Sequence, residues 1–465
     1  MATSGTEVFS GMRTPTAAAT GEAGVGAAVG VRAEPEVSAA PGAPGLYVHV
    51  PFCARVCPYC DFAVQTGGPE RREWFVRSLR REAELWGRRW RHDLTFDTVY
   101  LGGGTPSSLE PEQLAAIIET LRRSLAVDDA AAITLEANPE DVTSAAVAAW
   151  RRLGVTTLSL GVQSFDDEAL RFLGRAHTPG GAVAAVEAAL AGGFATVSLD
   201  LIFGLPGQSD ERWRADLQQG ARLCPQHISC YELTIHEGTP FGARKQRGEL
   251  VEAPEERRAD LFVLTHEALA SAGYEAYEVS NFAAAPEHRS SHNCKYWQHA
   301  PYLGIGPSAH SFDGVSRRWW NHRRLSDWQR ALEGPDRSSR FDAGAGATSP
   351  AFPIAGAEVA SPVPVLDDSR VPRPALPVAG SEILSPTDLV LEALALGLRT
   401  TAGVDLARLR RRHGIDVLAA NEARIEDLQR RNLLVLHPPA RLTPTLRGLA
   451  VADALARELE IPRGT

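Results

Sequence analysis

The sequence predicts an α/β protein: a partial (β/α)6 barrel, an aromatic and histidine-rich extension, and a C-terminal winged-helix-like helical module. Three observations carry this expectation. Strand-like and helix-like segments alternate from residue 45 to residue 272, the pattern of a parallel sheet with helical crossovers. Chemistry-bearing residues recur where the strands end, which is the working rim of a parallel barrel. After the insertion described below, three short helical segments precede a pair of strand-like runs.

Composition bounds the rest. The 465 residues are 44% hydrophobic and 23% charged, as in a globular chain of several domains. Acidic residues outnumber basic ones, 57 to 48, for a net charge of -9. That balance argues against indiscriminate nucleic-acid binding, and no nucleic-acid partner is expected. No apolar run reaches the roughly 18–20 residues that cross a bilayer, so no integral membrane segment is expected. Residues 1–44 are rich in Ala, Gly, Thr and Glu. Their apolar stretch Gly24–Val31 has no basic run before it, and Glu7, Glu22, Glu34 and Glu36 suit neither a signal nor a transit peptide. A disordered N-terminal tail is the expectation. Six cysteines, three of them clustered and poorly placed for mutual disulfides, predict a reducing, cytoplasmic setting.

The elements follow in order. Gly45–Phe52 is a strand, Glu70–Arg91 a helix with Trp74, Leu79, Leu85 and Trp86 at roughly helical spacing. Phe96–Leu101 is a second strand, running into Gly102-Gly103-Gly104-Thr105-Pro106, and Pro111–Leu125 is helical. Ala132–Glu136 is a third strand, Ser144–Leu153 a helix, Thr157–Val162 a fourth strand leading to Gln163. Asp166–Leu173 and Gly181–Ala191 are helices, Thr196–Phe203 a fifth strand, Asp210–Leu223 a helix, His227–Thr234 a sixth strand and Pro254–Ala272 a helix. The expected core is 45–285, with an extension at 286–333. Residues 334–385, rich in Pro, Ala, Gly and Ser without periodicity, read as a flexible insertion. The C-terminal module at 386–465 carries helices at Pro386–Arg399, Val404–His413 and Ala419–Arg431. A strand pair follows at Leu433–Leu436 and Ala440–Thr443, and a closing helix at Leu446–Leu459. Arg408 and Arg410–Arg412 on one helix read as a solvated basic face.

Half of the cysteines lie in one run, Cys53-Ala-Arg-Val-Cys57-Pro-Tyr59-Cys60, directly after the first strand. Thiolates are the usual ligands of iron–sulfur clusters, and four are normal for a cubane. Three in one loop leave one iron open to a small chelating molecule. Structural zinc takes four ligands, commonly as two separated pairs, and no second pair is near. Around the same rim stand Gly103, Gly104, Thr105, Glu136, Gln163 and Asp200, with Arg175 in a helix–loop stretch. Glycines let a backbone approach a ligand. Carboxylates accept from hydroxyl or amino groups, and arginine grips a carboxylate bidentately. Together they suit a zwitterionic amino acid joined to a nucleoside.

The cysteine run resembles the signature of the radical S-adenosylmethionine (SAM) superfamily. The further runs His49-Val-Pro-Phe-Cys53, Tyr100-Leu-Gly-Gly-Gly-Thr-Pro106, Leu135-Glu-Ala-Asn-Pro139, Gly161-Val-Gln-Ser-Phe165, Leu173-Gly-Arg-Ala-His177 and Asp200-Leu-Ile-Phe-Gly-Leu-Pro206 narrow the likeness. They are similar to the oxygen-independent coproporphyrinogen III oxidase family, from residue 45 to the end apart from the insertion. The resemblance implies a radical SAM barrel with a [4Fe-4S] cluster on Cys53, Cys57 and Cys60. It implies that Tyr47, Gly103, Gly104, Thr105, Glu136, Gln163, Arg175 and Asp200 line SAM sites, and Tyr59 belongs to the same signature.

One residue divides that family. The oxidases carry a fourth cysteine two positions after the third; here the residue is Phe62. With His292-Asn-Cys-Lys-Tyr-Trp297, this resembles the HemW-like haem-chaperone branch, in which the motif is implicated in haem binding. The implied function is a haem chaperone with a haem-acceptor protein and an electron donor as partners. The alternative is a radical enzyme that oxidatively decarboxylates coproporphyrinogen III. His292 reads in two ways. It is a haem-binding residue, with Tyr296 and Trp297 beside a flat ring, or it forms a turn whose aromatic neighbours pack in the core. His299, His310 and His322 are further candidate ligands.

Overall fold

The computed structural model describes residues 42–90, 94–333 and 376–462. Most of the expected tail and of the expected insertion lies outside the described residues. Six parallel strands form the core: β1 (Gly45–Val50), β2 (Phe96–Gly103), β3 (Val127–Ala137), β4 (Val155–Gln163), β5 (Thr196–Phe203) and β6 (His227–Glu232), paired in that order. The expected parallel α/β core is present. Every residue of β5 is buried, as a strand covered on both faces requires. Its Val197, Leu199 and Leu201 join the apolar core under the helices, whereas the alternate positions Ser198 and Asp200 hydrogen-bond to other polar side chains. The same alternation in β2 sets Val99 and Leu101 in the core and gives Thr98 and Tyr100 polar partners. One face of the sheet is therefore apolar and the other chemically equipped.

The crossover helices start where the chain supplies the donor-satisfying residues. Thr143, Thr178 and Ser209 accept from the first-turn amides of the helices Ser144–Arg152, Pro179–Ala191 and Asp210–Arg222. Pro69, Pro111 and Pro179 occupy first helical positions, where a missing N–H costs nothing.

The sheet does not stop at six strands. On one edge, β7 (Glu275–Ala276) and β8 (Asn281–Ala283) extend it, β8 antiparallel to β6. On the other, β9 (Tyr302–Ile305) lies parallel to β1, and β10 (His310–Phe312), β11 (Arg317–Asn321) and β12 (Val378–Ile383) follow antiparallel, making a 12-stranded sheet. β12 falls within the segment expected as an irregular insertion. Its residues are alternately half-buried and exposed, and on the half-buried face an added Cβ at Gly380 would lie 2.5 Å from the Trp320 ring. A strand covered on one face needs few apolar residues, so its composition hid it.

The C-terminal module has its own core, including Val390, Leu394, Leu398, Ile425, Leu428 and Leu442. Its small sheet orders β13 (Val404–Asp405), β15 (Arg441–Pro444) and β14 (Leu434–His437). The expected helix over 404–413 opens as β13, and Asp405 then caps Leu406–His413 by accepting from Arg408 N. The expected closing helix is two, Leu446–Leu449 and Ala452–Glu458. A short helix at Pro240–Gln246 was not legible from periodicity.

Candidate functional site

The cysteine loop leaves β1 at the barrel rim and is pinned from several sides. Cys53 N donates to Gln65 O (3.0 Å), Cys60 N to Cys57 O (3.1 Å) and Thr105 N to Phe52 O (2.7 Å). Arg55 reaches Gly174 O at 3.3 Å, and Phe241 N bonds Pro58 O at 2.9 Å. Tyr59 packs its ring on Phe241, centroids 6.3 Å apart, and its hydroxyl bonds Cys57. His49 Nε2 meets Ala63 O at 3.1 Å. The three cysteines are free thiols, half-buried. Burial raises the Cys53 thiol and pushes Cys60 up to about 12. Groups that favour a thiolate stand beside the loop: Thr105 Oγ1 donates to Cys53 Sγ and Arg175 to Cys57 Sγ, both at 3.5 Å.

Arg175 is central. One guanidinium nitrogen donates to Asn138 Oδ1 at 2.5 Å and to Gly161 O at 2.9 Å. Asn138 in turn donates to Thr105 Oγ1 at 3.3 Å. The Arg175 Nε is buried and has no partner among the described residues. A buried donor left open beside the thiols is the place for an acceptor brought by a ligand.

Glu136, at the end of β3, accepts from Gly103 N (3.1 Å) and Tyr100 OH (2.8 Å). Burial raises its carboxyl. Asp200 accepts from Ser159 Oγ at 3.1 Å, and burial raises its carboxyl too. Gln163 is buried at a backbone φ of 67°, beside Gly161. Gly103 has φ 105°, and a Cβ there would lie 2.5 Å from His49 Nδ1. At Gly104 a Cβ would lie 2.6 Å from Phe52 O. Both positions require glycine for the strand end to lie against the loop. Tyr47 bonds His49 Nδ1 at 3.0 Å.

The structure thus gathers the Cys53–Cys60 loop, Gly103, Gly104, Thr105 and Arg175 at one rim, with Glu136 bonded to it through Gly103. Gln163 sits by Gly161, whose carbonyl holds Arg175. Asp200 sits a strand further, and Tyr59 packs against an apolar cluster while its hydroxyl bonds Cys57. Sequence reasoning passed over three side chains, His49, Tyr100 and Asn138. Their signal was present: His49 alternates with Tyr47 on one strand face, and Asn138 stands two residues beyond Glu136.

His292 carries two readings from the sequence, a haem-binding residue or part of a turn with packed aromatic neighbours. It lies in the helix Ser291–Trp297, buried. One ring nitrogen pairs with Thr98 Oγ1 at 3.0 Å and the other with Tyr296 OH at 2.9 Å. Burial lowers its pKa to about 3. Both ring nitrogens have partners within the protein. The segment is a helix rather than a turn, with Ser290 as its cap, accepting from Asn293 N at 3.3 Å. His310 differs. It stacks on Trp320, centroids 6.0 Å apart, and its ring has no hydrogen-bond partner among the described residues.

Residues 47–219 match the radical SAM superfamily and residues 384–451 the HemN C-terminal domain. The chain is 36% identical over 430 residues to the haem chaperone HemW of Mycobacterium tuberculosis, covering 91% of this chain and 97% of that protein. The chain belongs to the HemW-like branch of the radical SAM family. The Escherichia coli HemW is 38% identical over 272 residues, 57% of this chain and 69% of that one. Coproporphyrinogen III oxidase (HemN) of Escherichia coli, a radical SAM enzyme, shares the fold, with a TM-score of 0.71 at 18% identity and 90% coverage of each chain.

Membership of the radical SAM family implies a [4Fe-4S] cluster and SAM, and the site fits both. Among the described residues no three His, Cys, Asp or Glu side chains converge on a single metal ion. A cubane takes its thiolates on separate irons, so convergence on one point is not required. Among the described residues no helix is long and apolar enough to cross a membrane.

Proposed function

We propose that this HemW-like protein is a cytoplasmic haem chaperone that binds haem and delivers it to an acceptor protein. The carrying observation is the 36% identity over 430 residues with a protein named for that role. In this reading Cys53, Cys57 and Cys60 would hold the cluster, with SAM bound beside it. When bound, the reduced cluster supplies an electron to the SAM sulfonium, the electron itself coming from a separate donor.

The chain's own residues do the positioning. Arg175, with its open Nε, takes the carboxylate of SAM and keeps positive charge beside Cys57. Glu136 and Asp200 offer acceptors to amino or hydroxyl groups, and their burial makes each unmet hydrogen bond costly, which gives selectivity. Gly103 and Gly104 admit the ligand to the backbone.

For haem, His310 is the better-placed axial ligand. Burial lowers its pKa to about 4, so it is neutral at pH 7, as iron ligation requires, and Trp320 lies alongside. The competing reading is coproporphyrinogen III oxidase activity, favoured by the shared fold and opposed by Phe62 at the fourth-cysteine position. The deciding experiment is anaerobic reconstitution followed by haem titration in the visible spectrum. It is paired with an assay for protoporphyrinogen formation from coproporphyrinogen, SAM and reductant. Saturable haem binding without porphyrinogen turnover is expected. Robust turnover refutes the chaperone reading. His310→Ala should change the haem spectrum more than His292→Ala; the reverse order would return the role to His292.

A further inference from the structure

A line of tyrosines runs from the site into the extension, and beyond Tyr47 the binding roles above leave it unused. Ring centroids are 6.2 Å apart from Tyr47 to Tyr100, 5.2 Å from Tyr100 to His292, 5.2 Å from His292 to Tyr296 and 4.7 Å from Tyr296 to Tyr302. The inner end touches Glu136 through Tyr100. The outer end, Tyr302, is half-buried and packs on the small cluster of Phe312, Leu384 and Leu389 beside the C-terminal module.

Three successive phenols each hydrogen-bond to a group that can take a proton. Tyr47 pairs with His49 Nδ1 (3.0 Å), Tyr100 with Glu136 Oε1 (2.8 Å) and Tyr296 with His292 Nε2 (2.9 Å). Burial keeps both histidines neutral at pH 7, lowering His49 to about 4 and His292 to about 3. Packing requires buried rings in contact; it does not require a base at each phenol. A phenol with its own base loses an electron and a proton together, so no bare charge is stranded in the interior.

We propose that Tyr47, Tyr100, Tyr296 and Tyr302 form a one-electron relay that discharges a carbon radical formed in the barrel when no substrate accepts it. The proposal rests on the reading that bound SAM is cleaved reductively. The radical takes a hydrogen atom from Tyr47 or Tyr100: a C–H bond forms, a phenolic O–H breaks, and the phenol is oxidised by one electron. The bond formed is stronger than the bond broken, so the step runs downhill. Each later hop carries one electron inward. At an intermediate ring the proton rests on the histidine or carboxylate and returns when that ring is reduced; the first ring, whose proton left with the hydrogen atom, takes one from solvent as the electron arrives, and Tyr302, which has no such base, releases its own to solvent. At Tyr302 a soluble thiol supplies a hydrogen atom, breaking S–H and re-forming O–H, and two thiyl radicals pair as a disulfide. A chaperone needs such a drain more than an enzyme does, because it has no substrate to consume the radical.

The test uses the reconstituted full chain with SAM and dithionite, frozen at intervals for electron paramagnetic resonance, with 5′-deoxyadenosine measured in parallel. A tyrosyl doublet that narrows with ring-deuterated tyrosine is expected, decaying on addition of a thiol. Tyr296→Phe should slow that thiol-dependent decay at least about tenfold, and Tyr296→Trp, redox-active and similarly bulky, should restore it. Wild-type amounts of 5′-deoxyadenosine without any tyrosyl signal overturn the relay. No 5′-deoxyadenosine at all overturns the SAM-cleavage reading instead. The relay is then judged by a second arm. A ruthenium polypyridyl photosensitiser on Glu382→Cys, in a Cys224→Ser background, oxidises the outer end by flash-quench. Wild type should pass the hole to Tyr100, and Tyr296→Phe should confine it to Tyr302. Identical signals from the two refute the relay.

Discussion

Replacing Glu82 with glutamine should flatten the pH dependence of stability. Glu82 lies on the helix Pro69–Gly87 and is 0% exposed. Its carboxylate accepts from Gly306 N (2.9 Å), Trp328 Nε1 (2.9 Å) and Asn321 Nδ2 (2.6 Å), joining the helix after the cysteine loop to the extension. Burial pushes its pKa from 4.5 up to about 7. The folded pKa is raised, so between about pH 4.5 and 7 the folded chain holds a proton that the unfolded chain has lost. The stabilisation is full below the unfolded pKa and is lost as pH rises through the folded one. About 2.5 units at about 1.4 kcal/mol each give a loss on the order of 3 kcal/mol by pH 8. Glutamine keeps the two bonds to Gly306 and Trp328 but turns an amide towards Asn321, sacrificing about 1 kcal/mol. The variant should therefore be more stable than wild type at pH 8, by about 2 kcal/mol, and less stable at pH 3.5, by about 1 kcal/mol, with the two nearly equal near pH 5. Urea titrations at the two pH values, read by tryptophan fluorescence, measure the crossover. Parallel pH dependence in the two proteins would refute the reasoning.

Three other expectations concern the site. Serine at Cys53, Cys57 or Cys60 should abolish the visible absorption of the reconstituted cluster, whereas Cys224→Ser and Cys230→Ser should retain it; iron and sulfide analysis checks both. Gly103→Ala forces a side chain onto φ 105° and against His49. Equilibrium dialysis should show SAM affinity at least about tenfold weaker, a loss of about 1.4 kcal/mol, with cluster content unchanged. Arg175→Lys keeps the charge but cannot reach Cys57, Asn138 and Gly161 from one planar group. SAM binding by calorimetry should weaken by about ten- to a hundredfold, and unchanged binding would remove Arg175 from the carboxylate role.

The parallel core was legible because its strands are long, apolar and separated by capped helices. β5 announces itself in eight buried residues. The cysteine spacing and the glycine run were legible for the same local reason: each is a contiguous string. What the sequence concealed was long-range. β9 is four residues long and is a strand because β1 offers an open edge. β12 is held by backbone pairing with β11, Arg317 opposite Ile383. His49, Tyr100 and Asn138 gain their roles from partners on other segments, at Ala63, Glu136, Thr105 and Arg175. The partners of His292 were hidden in the same way. Thr98, 194 positions away, and Tyr296 occupy its two nitrogens.

The pairing of β1 with β9 also sets a clock. β1 lies between β2 and β9, and Gly45 meets Tyr302 in register. A ribosome adding about 5–20 residues per second needs roughly 13–50 s to travel from one to the other. For that interval the strand feeding the cysteine loop has one edge unpaired, and Arg323, which holds Asp61 O at 2.8 Å, does not yet exist. The loop is thus synthesised early and enclosed late. Iron and sulfide delivered during translation meet three thiols with one flank still unbuilt; delivered afterwards, they meet the finished rim.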